Sequence, residues 1–138
     1  MFSKKPSKPQ NRIDSLIGAG TRIEGSVIFT GGLRIDGEVK GDVVASGDQP
    51  STVVVSEQAR IEGEVRVTHM VVNGTIAGHV HASEFLELQP RCRVTGDIHY
   101  TNLEIQLGAV VDGRLVHAAE AGEGKAVELK LAKSNRSD

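Results

Sequence analysis

The chain has 138 residues, a net charge of -2, 3% aromatic residues, no tryptophan and one cysteine, which is enough for a single domain. Interleaved acidic and basic residues at near-neutral charge give no footprint for nucleic acid. One thiol excludes a disulfide framework and suits a reducing compartment.

In chain order, the first segment is basic. Met1 to Arg12 holds Lys4, Lys5, Lys8 and Arg12, two prolines and no acidic residue. No apolar run follows that would make it a signal peptide, and no stretch reaches the length of a transmembrane helix, so the expected location is the cytoplasm. Met1 and Phe2 form an apolar tip beside Lys4 and Lys5 that could insert between lipids, with each charge worth about 1 kcal/mol near an anionic leaflet. The other reading is a solvated basic arm. Either way residues 1–17 are expected to be a disordered arm.

From Gly18 a phrase repeats. Thr21-Arg22-Ile23-Glu24-Gly25-Ser26-Val27 returns as Ala59-Arg60-Ile61-Glu62-Gly63-Glu64-Val65, as Cys92-Arg93-Val94-Thr95-Gly96-Asp97-Ile98 and as Ala109-Val110-Val111-Asp112-Gly113-Arg114-Leu115. A second phrase alternates with it: Leu33-Arg34-Ile35-Asp36-Gly37-Glu38-Val39 matches Met70-Val71-Val72-Asn73-Gly74-Thr75-Ile76, with Gly47 to Pro50 treated as an insertion. Self-similarity at a fixed period is the signature of a solenoid. One coil is about seventeen residues, which predicts a parallel β-helix of three short strands per coil, β-branched residues inside and glycines at corners. Residues 18–117 hold about six coils, a rod about 25 to 30 Å long at the usual strand spacing.

Alternation around the glycines predicts an inward set: Ile23, Val27, Leu33, Ile35, Val39, Val43, Val53, Val55, Ile61, Val65, Val72, Ile76, Val80, Leu86, Leu88, Val94, Ile98, Leu103, Ile105, Val111 and Leu115. A solenoid buries its core along the axis only, so its end coils stay open unless capped. The first coil is expected to present Ile23, Val27 and Leu33, and the last Leu103, Ile105, Val111 and Leu115. Residues 118–138 lose the pattern, and despite alternation at Val127, Leu129 and Leu131 they are read as a flexible tail.

Three features resemble one known family: the run Ile35-Asp36-Gly37-Glu38-Val39-Lys40-Gly41-Asp42-Val43, the run from Gly108 to Arg114, and the opening Met1-Phe2-Ser3-Lys4. The chain is similar to the bactofilins. That resemblance implies an all-β fold, a single right-handed parallel β-helix with disordered N- and C-terminal tails. It implies end-to-end polymerisation into nonpolar filaments without nucleotide or other cofactor. It also implies a scaffold on the inner face of the cytoplasmic membrane that positions cell-wall or morphogenetic proteins.

Enzymatic readings are weaker. A left-handed hexapeptide-repeat acyltransferase needs an aliphatic every six residues, whereas Ile35, Val39 and Val43 lie four apart, as do Val72, Ile76 and Val80. His81, His99 and His117 are spaced by eighteen and could form an outward ladder, but no carboxylate is evident in their column, and they are read as surface histidines rather than a metal site. His79 stands where the matching coil has Asp42, which argues against a fixed role. Cys92 falls in the column of Thr21, Ala59 and Ala109, a small buried corner position. Gly122-Glu123-Gly124-Lys125 lacks the spacing and context of a phosphate loop.

Overall fold

A computed structural model describes residues 12–118. They form six coils of three strands each. The first coil is β1 (Ser15–Ile17), β2 (Arg22–Glu24) and β3 (Val27–Phe29); the second is β4 (Gly32–Ile35), β5 (Glu38–Lys40) and β6 (Val43–Ala45). The third is β7 (Thr52–Val55), β8 (Arg60–Glu62) and the start of β9 (Val65–Val72). The fourth uses the end of β9, then β10 (Thr75–Ala77) and the start of β11 (Val80–Leu88). The end of β11, β12 (Arg93–Thr95) and β13 (Ile98–Tyr100) make the fifth, and β14 (Leu103–Ile105), β15 (Val110–Asp112) and β16 (Leu115–His117) the sixth. The solenoid therefore begins at Ser15, ahead of the boundary expected at Gly18: Ser15, Leu16 and Ile17 pair in parallel with Leu33, Arg34 and Ile35.

All pairings are parallel, and they generate three faces. The first stacks β1, β4, β7, the end of β9, the end of β11 and β14. The second stacks β2, β5, β8, β10, β12 and β15. The third stacks β3, β6, the start of β9, the start of β11, β13 and β16. Strands β9 and β11 turn the corner from third face to first without a break, because Val67 to Met70 and Ala82 to Phe85 carry neither Gly nor Pro there.

Alternation puts like side chains over like inside the prism. Ile23, Val39, Ile61, Ile76, Val94 and Val111 form one inward column, and Val27, Val43, Val65, Val80, Ile98 and Leu115 another. In the middle coils these residues are fully buried. A further column lies two residues beyond the second of these and holds Phe29, Val67, Ala82 and Tyr100, all buried. Met70 and Ile17 join the core on the first face.

The corners explain the two kinds of phrase. Between second and third faces every coil turns on a glycine: Gly25, Gly41, Gly63, Gly78, Gly96 and Gly113. A Cβ at Gly78 would lie 2.0 Å from the carbonyl oxygen of Gly63, and one at Gly113 2.0 Å from that of Gly96, so from the second coil onward the stacking distance leaves no room for any other residue. Between first and second faces, the corner is either tight or a four-residue turn. Asp36-Gly37 and Asn73-Gly74 are tight, whereas the turns at 18–21, 56–59, 89–92 and 106–109 each close with a backbone bond, such as Ala59 N to Ser56 O at 2.9 Å. Tight corner and turn alternate through the first five coils, which is the double-coil repeat of the sequence. The inserted segment 46–51 lies between β6 and β7 and is pinned to the next coil, where Ser51 N donates to Thr68 Oγ1 at 2.8 Å and Thr68 Oγ1 donates to Ser51 O at 2.7 Å.

Candidate functional site

A rod built this way has distinctive chemistry where its columns end. Strands β1, β2 and β3 have a parallel partner on one side only, and so do β14, β15 and β16, leaving unpaired edges at both ends. The exposed large apolar side chains among the described residues are Ile13, Leu16 and Ile28 at the first coil and Ile105, Leu107 and Val110 at the last. Ile28 is 70% exposed and Leu107 95%. The middle coils contribute none to that set.

The expected end contacts divide. Ile23, Val27 and Leu103 are half-buried and Ile105 is exposed, although their columns are fully buried in mid-rod. Leu33 does not belong to the first coil. It sits in β4, paired with Ser15, and is buried, because the first coil starts earlier than the repeat phrase shows. Val111 and Leu115 are in the last coil but face inward beside Val94 and Ile98 and are also buried. Sequence reasoning missed Ile13, Leu16, Ile28, Leu107 and Val110. The available signal was parity: Leu16, Ile28 and Val110 are apolar at outward positions whose mid-rod equivalents include Arg34, Arg66 and Arg93. The membrane tip Met1, Phe2, Lys4 and Lys5 and the tail from residue 119 onward lie outside the described residues, and among those described no helix is long and apolar enough to cross a membrane.

The histidines separate by register. His81 pairs with His99 on the third face, and their rings stack with centroids 4.4 Å apart and planes within 12°. His117 is not in this column, because the next step is seventeen residues: it pairs with Tyr100, while His99 pairs with Val116. A carboxylate does reach His81, from the neighbouring corner, with Glu64 Oε2 3.0 Å from His81 Nε2. Among the described residues no group of three or more ligands is placed to hold a metal. His79 has a structural role that it shares with its column. Asp42 Oδ1 accepts the backbone N–H of Glu64, His79 Nδ1 that of Asp97, and Asp97 Oδ1 that of Arg114, so an imidazole and a carboxylate do the same work. The bond from Arg114 N also holds the Asp97 carboxyl below the usual carboxylate range. Burial pushes the Cys92 thiol up to about 11, which makes it a core residue, not a nucleophile.

Burial is the main cause that lowers the pKa of His81, followed by the nearby charges of His99 and Arg66, with His79 adding and Glu64 opposing. A base with a depressed native pKa leaves the unfolded chain binding more protons on acidification. Its contribution is complete above the ordinary histidine value of about 6.5 and is lost as pH falls through and below it. The melting temperature should therefore drop between pH 7 and pH 5.5, ahead of carboxylate titration, and His81→Gln should flatten that drop in a thermal melt series. An unchanged slope would assign the drop to other groups.

Coil steps along the columns run from fifteen residues, Ile61 to Ile76, to twenty-two, Val39 to Ile61, which no six-residue repeat produces. Comparison with known proteins agrees with the solenoid. The family model described as "Bactofilin: Polymer-forming cytoskeletal" matches residues 15–116. The chain belongs to the bactofilin family. This bactofilin is 27% identical over 113 residues to bactofilin BacP of Myxococcus xanthus (strain DK1622), covering 82% of this chain and 45% of BacP. It is 27% identical over 103 residues to bactofilin BacO of the same organism, covering 69% of this chain and 82% of BacO. It thus spans under half the length of BacP and most of BacO. Among solved structures it is similar to the Thermus thermophilus bactofilin seen by cryo-EM in double helical filaments, with a TM-score of 0.64 and 28% identity over 75% of this chain and 98% of that one.

Proposed function

We propose that this bactofilin polymerises end to end through its first and last coils, without nucleotide, into filaments that lie on the inner face of the cytoplasmic membrane and position cell-wall or morphogenesis proteins. In this reading the β-helix is the polymerisation domain and the basic arm ahead of it carries the membrane tip. The reading rests on one observation above all: the exposed large apolar side chains among the described residues fall at the two ends of the rod. End contacts would close the open column ends at Ile23, Val27, Leu103 and Ile105 and extend the core columns from one subunit to the next, with the outward Leu16, Ile28 and Val110 at the rim of the contact.

The membrane half is carried by Met1, Phe2, Lys4 and Lys5. One such tip is a weak, reversible anchor, whereas a row of tips along a filament raises overall affinity by about 10² to 10⁴. Two measurements test the reading together: negative-stain microscopy of the purified chain without nucleotide, and co-sedimentation with anionic liposomes. Filaments are expected in the first. In the second, deleting residues 1–8 should abolish sedimentation with liposomes and leave the filaments. Absence of filaments would overturn the polymer, and liposome binding that survives the deletion would overturn the membrane tip.

A further inference from the structure

The first face presents one outward column along the rod, which in coil order reads Leu16, Arg34, Val54, Val71, Glu87 and Glu104. Its centre is apolar. Val54 and Val71 stack on each other, half-buried, with Phe85 half-buried in the adjoining column. On the other two faces the outward positions of the middle coils are mostly charged, hydroxyl or imidazole groups, including Arg60, Thr75, Arg66 and His81, and the apolar ones, Val44 and Ala77, do not stack on each other. On either side of the valines the column carries opposite charges. Arg34 is braced by Asp36 through Nε at 2.9 Å, a bond that does not use its paired Nη nitrogens. Glu87 Oε2 accepts bonds from Gln89 Nε2 at 3.1 Å and Gln106 Nε2 at 2.8 Å, which hold the carboxylate in place.

The order Arg, Val, Val, Glu is complementary to itself when reversed. We propose that this face pairs with the same face of a second copy lying antiparallel, so that Val54 meets Val71 and Arg34 meets Glu87 twice about a single two-fold axis. A two-fold interface is self-complementary in this way: if one residue meets another, the second meets the first. The parallel arrangement is disfavoured by the same column, because it sets Arg34 on Arg34, Glu87 on Glu87 and Glu104 on Glu104, and like-charge juxtaposition discriminates strongly against wrong pairings. The two acidic residues also make the column a poor fit to an anionic lipid surface. The contact is lateral, along the flank of the rod, and leaves both ends open. In its repetition along a filament this inference rests on the end-to-end reading above.

The test is a charge exchange read by filament width. Arg34→Glu and Glu87→Arg should each reduce laterally paired filaments roughly tenfold or more and leave single filaments of ordinary length. The double variant Arg34→Glu/Glu87→Arg restores both cross-contacts and should restore pairing. Pairing that survives either single exchange, or a double variant no better than the singles, would overturn the antiparallel contact. If the unmodified chain forms no filaments, that counts against the end-to-end reading alone. Sedimentation velocity then reads this contact separately, as a dimer lost in each single variant and regained in the double. Purely monomeric unmodified chain, or capture of vesicles through this face in place of a second copy, would overturn the proposal.

Discussion

A chain carrying Ile105→Arg is expected to fold normally and to lose its long filaments. Ile105 is 37% exposed at the open end of the column that runs down from Leu88, so in the free subunit an arginine stem can lie along the column end with its guanidinium in water. Closing an apolar end contact over that group would strand an unpaired charge, at a cost of several kcal/mol. Since every 1.4 kcal/mol is a factor of ten, subunit association should weaken by about a hundredfold or more. Thr95→Arg, exposed on the second face in the fifth coil, is the matched control and should leave filaments unchanged. Analytical ultracentrifugation then reads what remains. Dimers joined through intact first coils are the product expected from like-with-like end contacts, whereas monomers would mean that first coils dock on last coils. Long filaments in the Ile105→Arg chain would remove the last coil from the interface.

Ile76→Lys should have the opposite phenotype, with loss of the fold itself. Ile76 is completely buried in the fourth coil between Ile61 and Val94. No open end is near enough for a lysine to reach solvent, and an unpaired ammonium there costs several kcal/mol against a net stability of about 5 to 15 kcal/mol for a typical domain. Coils contact only their neighbours, so the damage also uncouples the two halves of the rod. Ile76→Val, which removes one methylene, should cost only about 1 kcal/mol. Far-UV circular dichroism and thermal melts check both. A soluble Ile76→Lys chain that melts like the parent would mean that the inward register of β10 is misassigned.

Most of the architecture was legible because a narrow prism imposes a simple code. Ile61, Ile76 and Val94 could be assigned inward from alternation about a glycine, and each lies in the column expected of it. The code failed where its punctuation was missing. Ser15 to Ile17 precede the first full glycine phrase, so the repeat does not mark a coil there and puts Leu33 one coil too early. Phe29, Ala82 and Tyr100 were not assigned to the core, because rings and alanine share one column and obscure a pattern read from β-branched residues. Register also decides what spacing alone cannot. Eighteen residues separate both His81 from His99 and His99 from His117, yet only the first pair stacks, since coil lengths differ by a residue. At the ends, parity correctly turned Val111 and Leu115 inward, but an inward side chain of the last coil is not thereby an open one.

The alternation of tight corners with four-residue turns makes two coils, and not one, the unit by which such a rod can grow. An added tight-and-turn pair would re-form the same glycine stack and the same inward columns on both sides of the join, and would leave the two end surfaces untouched. It would lengthen the subunit by about 10 Å at the strand spacing of parallel coils. Attachment points carried once per subunit would then move apart by that increment along the whole polymer. The solenoid is in this sense a ruler graduated in double coils, on which the spacing of equivalent points on successive subunits can change while the chemistry that joins the subunits stays the same.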